Sequence, residues 1–472
     1  MVFSSAIFLF AFLPITMILY YIMPGIRWKN ALLIVAGIIF YAFGEPVYVL
    51  LMIASTIVNY ILGIIVSSDK QVVRRLGIIS AVIINIAVLA VFKYSGFIIT
   101  NINSVAGTQI RIPDIALPIG ISFYTFQALS YVIDVYRKPE MCSKNYFNVL
   151  LYISFFPQLI AGPIVKYGDI SKEIQARKLE ISEISDGIRR FIYGLGKKMI
   201  ISNSMASVAD MCFALDSCNY NFLVAWMAAI TYALQIYYDF SGYSDMAIGL
   251  AKMFGFHLKE NFNYPYSACS IKDFWTRWHI SLSSWFKDYL YIPLGGNRVS
   301  KFRVGINKLI VFFITGLWHG ANWTFIVWGM LHGVFSMLET YGVIPIKKMA
   351  SKWYGHIYTM LVVITAFVIF RAESLKQGFM IVKEMFTGFS LSGDRLMGIK
   401  YFVGELTPYF ILILVIAIVF SSPVVDKIRN CRVFKGNMGF KYCSYIISTL
   451  VLMMCILEIS SSSYNPFIYF QF

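Results

Sequence analysis

The sequence predicts an all-α, polytopic integral membrane protein, and three observations carry that prediction. Of its 472 residues, 58% are hydrophobic and only 14% charged, whereas a soluble domain carries about 25% charged residues. Mean hydropathy is +0.69. Apolar runs recur from end to end, with no charged, turn-rich linker to divide the chain.

The long apolar runs are 6–23, 46–66, 76–92, 222–237, 358–370, 409–420 and 442–457. Several approach the ~20 residues an α-helix needs to cross the hydrocarbon, and shorter ones suit partial or buried helices. Backbone polar groups must be satisfied internally in lipid, so helices are the spanning form. Roughly eleven to thirteen membrane-embedded segments are expected on this basis. Residues 31–66 read as a hairpin broken near "FGEPVY". "LLYISFFPQLIAGPIVKYG" is interrupted by Pro157, Gly162 and Pro163 and reads as a re-entrant pair of half-helices. Broken backbone is tolerated at membrane depth only where it packs on protein or lines a cavity. Residues 169–198 are the most polar stretch, expected to be amphipathic and cytoplasmic.

The formal net charge is +16. Its Lys and Arg lie in short clusters, which read as cytoplasmic loops under the positive-inside rule. Membrane lipid is therefore the expected surrounding, and no nucleic-acid partner is expected. Arg27 and Lys29 place the end of the first helix inside and the N-terminus outside. The basic stretch 427–441 lies inside, so 442–457 rises outward and leaves the C-terminus outside. The first run lacks a basic leader and a small-x-small site, so it is not read as a cleavable signal peptide. The seven cysteines show no metal-ligand spacing, and neither a disulfide framework nor a metal site is expected. No P-loop or dinucleotide fingerprint is present, and no internal repeat of the transporter kind is visible.

Four stretches put ionisable residues among apolar ones. "QIYYDFSGYSDMAIG" holds Asp239 and Asp245; intramembrane carboxylates are expensive, so they are read either as functional or as helix-end caps. "KDFWTRWHISLSSWFKDYLYIPLGGNR" alternates basic and aromatic residues at near-helical spacing, the pattern of an amphipathic helix in the membrane interface. His279 lies within it, with Lys272, Arg277, Trp278, Lys287 and Arg298. "TGLWHGANWT" sets His319 between Trp318 and Trp323, close to Asn322. Gly316, Gly320 and Gly329 there allow close backbone approach or a bend. A core histidine satisfied by its neighbours and a catalytic one fit His319 equally on these residues alone, and His332 reads as structural. The terminal "PFIYFQF" is too aromatic for a solvated end. Something is expected to bury it, which makes Tyr469 a candidate for chemistry.

Together these segments resemble the membrane-bound O-acyltransferase family, in its alginate O-acetyltransferase-like branch. The resemblance rests on "YYDFSGYSDMAIGL", "NFNYPYSACSIKDFWTRWHISLSSWFKDYLYIPLGGNR" and "GLWHGANWTFIVWGMLHG", with "LPIGISFYTFQALSYVIDVYR" and "FFPQLIAGPI" upstream. It implies a single membrane domain over 1–472, a ring of helices around a thin central wall pierced by a tunnel. It implies acyl transfer with His319 as general base and His279 as assisting acid, donor or positioner. Asp239, Asp245, Trp278, Trp318 and Asn322 become tunnel or positioning candidates. Lys272, Arg277, Lys287 and Arg298 become candidates for holding an anionic donor, for which acetyl-CoA is the expectation, with no bound cofactor.

In the related teichoic-acid D-alanylation system a small separate protein ends in a similar aromatic motif with an acyl-accepting tyrosine. By that resemblance the tail 458–472 enters the tunnel from the outer face and Tyr469 accepts the acyl group. A partner outside the bacterial cytoplasmic membrane, an SGNH-type or similar acetyltransferase, then receives it for a polysaccharide. D-alanyl or lipid acyl transfer and a polysaccharide-precursor transporter remain the alternatives.

Overall fold

The computed structural model describes residues 1–160, 162–350, 352–390, 393–429, 438–461 and 467–468. The described residues form helices and no strand. Among the described residues, five helices are long and apolar enough to cross a membrane: Gly25–Ala42, Tyr48–Val66, the continuous Gln71–Ala106, Trp353–Arg371 and Tyr442–Ser461. Arg395–Glu405 and Pro408–Phe420, bent by 83°, make a sixth if taken as one span. Other apolar runs lie in helices that are shorter or more polar. The Phe222–Met253 and Trp323–Tyr341 helices carry Gln235, Asp239, His332 and several aromatic residues inside their apolar runs. Elsewhere a run is cut short, as between Tyr146–Ser154 and Phe156–Leu159. The outward face of the last long helix is apolar: Leu450 is 55%, Met453 56% and Leu457 69% exposed. Water would penalise such a face, whereas lipid does not. The chain is a multi-pass α-helical membrane protein.

The chain divides into two compact units. The first comprises Met1–Phe191 and Tyr243–Glu260. The expected hairpin is present as Gly25–Ala42 and Tyr48–Val66. The second of these packs on Gln71–Leu89 and Ile121–Arg137. Buried Asn59 and Asn85 clasp across one contact, each amide donating to the other's oxygen at 3.2 and 2.8 Å. Such reciprocal amides satisfy one another where no water is available. The proline-broken stretch is irregular: Asn145 caps Tyr146–Ser154, a four-residue turn follows, and extended chain leads to Tyr167–Gln175. Gln158 turns back to donate to the Tyr152 carbonyl.

The polar helices of this unit meet the loop that follows Met253. His257 is held on both ring nitrogens, by Glu173 and Glu183, each at 2.8 Å. The hydrogen bond its ring donates to Glu183 is the largest influence raising its pKa above the ordinary 6.5. A raised folded-state value means the bridge stabilises fully below the unfolded pKa and fades as pH rises through the folded one. Thermal stability of the wild type is therefore expected to fall from pH 6 to pH 9 relative to His257→Gln, measured in the same detergent. Equal slopes for the two proteins would show that the bridge contributes nothing.

The second unit comprises Ile192–Gly242 and Asn261–Phe472. At its centre the helices Lys301–His319 and Trp323–Tyr341 form a tight hairpin. Ser300 caps the first, accepting from the Arg303 amide, and Asn322 caps the second, accepting from the Thr324 amide at 3.1 Å. The glycines explain the closeness. A Cβ on Gly316 would sit 2.5 Å from the Phe325 carbonyl oxygen, and one on Gly329 would overlap the Phe312 carbonyl and lie 3.1 Å from Gly316 Cα. Backbone cannot yield as a flexible side chain does. Gly329→Val is expected to force the hairpin apart and cost about 1–3 kcal/mol. A detergent melting curve indistinguishable from wild type would contradict this.

Candidate active site

The stretch read as one amphipathic interfacial helix is in fact two short helices, Ile271–Arg277 and Ile280–Phe286, broken at Trp278 and His279. His279 adopts a left-handed conformation with φ +42°. A non-glycine residue there is uncommon and marks a constrained site. His279 is fully buried within the protein, and Trp278 and Trp285 are nearly so. The periodicity hid the break because the helical fragments on either side of it share that spacing.

The break is held by Asn261, a residue that sequence reasoning did not single out. Its backbone oxygen accepts from the Ile280 amide at 2.9 Å. Its side-chain Oδ1 accepts from the Ser281 amide at 3.1 Å and the Ser281 hydroxyl at 2.8 Å. An atom that receives a backbone N–H must be the carbonyl oxygen, so His279 Nδ1, 3.2 Å from it, is the donor there. The proton on Nδ1 leaves Nε2 with its lone pair. Among the described residues, that buried Nε2 has no hydrogen-bond partner. The only hint in the sequence is an asparagine in the turn-rich "NFNYPYS".

His319 ends the first helix of the hairpin and is 6% exposed. Its ring meets Trp328 at 5.0 Å and Phe370 at 5.3 Å between centroids, both nearly perpendicular. Trp318 joins the two histidines, 5.0 Å from His319 and 6.0 Å from His279. His319, Trp278, Phe240 and Ile468 line a cavity of about 10 Å³, the space of one water molecule. Phe240 also packs edge-on against His279 at 4.6 Å. His332 is buried and accepts from Trp275 Nε1 at 3.3 Å.

A larger cavity of about 480 Å³ opens on the other side of an aromatic wall. Lys272, Lys287 and Lys308 line it together with Trp275, Phe286 and Phe312. Trp275 and Trp328, 5.8 Å apart, with His332 5.3 and 5.2 Å from them, separate it from the His319 cavity. Glu339, also in its lining, accepts from the Ile271 and Lys272 amides at 2.6 and 3.0 Å and so fixes the helix that carries Trp275. Lys308, at the end of the same basic stretch, donates to Thr340 at 2.6 Å. Of the expected donor-binding residues, Lys272 and Lys287 line this space, and Arg277 and Arg298 do not. Arg277 instead pairs with Asp273 at 2.8 Å.

The remaining candidates separate. Asp239 is buried, with Oδ1 2.6 Å from Lys198 Nζ and Oδ2 accepting from the Ile468 amide at 2.9 Å. Asp245 belongs to the first unit, where it pairs with Arg190 at 2.8 Å; Arg190 also reaches Glu260 at 2.5 Å. Asn322 acts as a helix cap. Tyr469 lies outside the described residues, whereas Phe467 and Ile468 just before it are buried.

Comparison with known proteins identifies the family. The model of the MBOAT, membrane-bound O-acyltransferase, family matches residues 141–382, which include both histidines and the lysine-lined cavity. The chain is 38% identical to "Probable alginate O-acetylase AlgI" of Pseudomonas putida, over all of both chains. It is 33% identical to "Peptidoglycan O-acetyltransferase" of Helicobacter pylori, over all of this chain and 98% of that one. Similarity to "Teichoic acid D-alanyltransferase" of Bacillus subtilis is 28% over half of this chain and 61% of the other. The chain is thus an acyltransferase that belongs to the membrane-bound O-acyltransferase family, in its alginate O-acetylase-like branch.

Proposed function

We propose that this protein carries an acetyl group from a cytoplasmic thioester, acetyl-CoA, across the bacterial inner membrane for O-acetylation of a polysaccharide outside, by way of Tyr469. The observation that carries the reading is the burial of Phe467 and Ile468, with Ile468 lining the same cavity as His319. The full-length similarity to alginate and peptidoglycan O-acetyltransferases supports the cargo and acceptor class.

The large cavity suits the donor. Its volume falls within the range of small-molecule sites, about 300–1,000 Å³. Lysines attract phosphate at its rim, and apolar side chains receive an uncharged arm. Opening of the Trp275–Trp328 wall would complete a tunnel to His319. Replacing Lys272 and Lys287 together with alanine is expected to raise the acetyl-CoA KM about tenfold with kcat little changed, the signature of lost ground-state binding. A fall in kcat alone would remove these lysines from donor binding.

The chemistry then follows from the two imidazoles. The Tyr469 oxygen attacks the thioester carbonyl carbon while His319 takes the phenolic proton. The new C–O bond forms, the C–S bond breaks, and the thiol leaves with a proton. His279, with its proton on Nδ1, is a second proton acceptor through Nε2 rather than an oxyanion donor. The aryl acetate has a leaving group of pKa ~10, so onward transfer to a sugar hydroxyl, through an SGNH-type or similar partner outside, is downhill.

The test is intact mass and tail-peptide mapping after incubation with labelled acetyl-CoA. Label on Tyr469, absent from His319→Ala and Tyr469→Phe, is the expected result. A folded wild type that takes no label would overturn the relay.

A further inference from the structure

We infer that the buried Lys198–Asp239 pair is a backbone seat for the C-terminal segment, positioning it against the His319 cavity. The inference rests on the acyl-tyrosine reading for its purpose, though not for its geometry.

A buried ion pair calls for a reason. Desolvating both charges offsets much of their attraction, and well-packed apolar residues often do as well or better. Here Lys198 and Asp239 are 2% and 1% exposed. The two oxygens of Asp239 are divided between two tasks. Oδ1 holds Lys198 Nζ at 2.6 Å, and Oδ2 accepts the Ile468 amide at 2.9 Å. The lysine sets a positive charge beside the carboxylate, and a charge-assisted hydrogen bond is stronger than one between neutral groups. Lys198 Nζ also lies 5.9 Å from the centroid of the Phe467 ring, so both described tail residues meet the pair.

Asp239 also ties the seat to the chemistry. Ile236 and Phe240, on the same helix and within one turn, line the His319 cavity together with Ile468. Clipping the Ile468 amide therefore fixes which tail residue fills that cavity. Recognition of a peptide N–H is blind to side chains, so it sets register rather than composition. A slip of two residues would present Pro466, which has no N–H to donate. The residue after Ile468 is Tyr469, one Cα step of 3.80 Å along the chain. Asp239 and Lys198 are thus positioning residues, acting through the tail.

The test uses the full-length protein in detergent, with hydrogen exchange of the tail peptide read beside acetyl labelling. Lys198→Met with Asp239→Leu removes the acceptor and leaves no orphan charge, so the fold is expected to survive. Tail amides should exchange at least tenfold faster and Tyr469 label should fall at least tenfold, with acetyl-CoA KM unchanged. Tail protection equal to wild type would overturn the seat. Ile468→Pro removes the donor and leaves the ion pair intact, which keeps the idea testable should the double variant misfold. It should release the tail likewise, and a protected, labelled tail in that variant would overturn the seat. Pair-dependent protection in a chain that takes no label supports the seat and overturns only the acyl-tyrosine reading.

Discussion

His319→Ala is expected to lower acetyl transfer by about 10²–10⁴-fold, the usual contribution of a positioned general base. The loss should fall on kcat, because His319 lines the small cavity and not the lysine-rich one. Its ring is wedged among Trp318, Trp328 and Phe370. Truncation therefore also leaves a void, so thermal stability should be measured in parallel. His319→Gln fills more of that space without supplying a base. If the glutamine variant retains wild-type turnover, the histidine is structural and the proposed mechanism fails.

Asn261→Leu is expected to cut kcat about 100-fold, though Asn261 need not touch substrate. Its Oδ1 receives the Ser281 amide, the Ser281 hydroxyl and His279 Nδ1. Leucine would leave those buried donors without an acceptor and free the imidazole to place its proton on either nitrogen. With the proton on Nε2, His279 would lose the lone pair that the proposed mechanism uses there. Asn261→Asp keeps the acceptor and should keep most of the activity. Equal losses in both variants would mean that shape, and not the fixed tautomer, is what Asn261 supplies.

Much of this was legible in the sequence for identifiable reasons. Gly316 and Gly329 stand where two helices meet backbone to backbone, and a glycine inside an apolar run announces such contacts. His319 could be picked out because an imidazole between tryptophans in that run needs an explanation. The break at His279 was hidden. Basic and aromatic residues keep helical spacing on either side of it, and a left-handed histidine leaves no trace in composition. Asp239 was legible as an expensive carboxylate, but its partners were not. Lys198 reads as one more basic residue of a cytoplasmic cluster, and the Ile468 amide has no sequence signature at all. Tertiary partners of a backbone group become visible only once the chain is folded.

The small size of the His319 cavity has a further consequence for chemical selectivity. Bulk water is present at a concentration no tyrosine can match, and a thioester brought to a base in an open cleft would be hydrolysed wastefully. A space of about 10 Å³ admits at most a single solvent molecule. An acceptor tethered at that spot instead competes with an effective molarity that well-oriented intramolecular reactions raise to about 10⁵–10⁸ M. Under the proposed relay, the tight packing around His319 would act as a kinetic filter that favours a tethered tyrosine over water and spares the thioester donor.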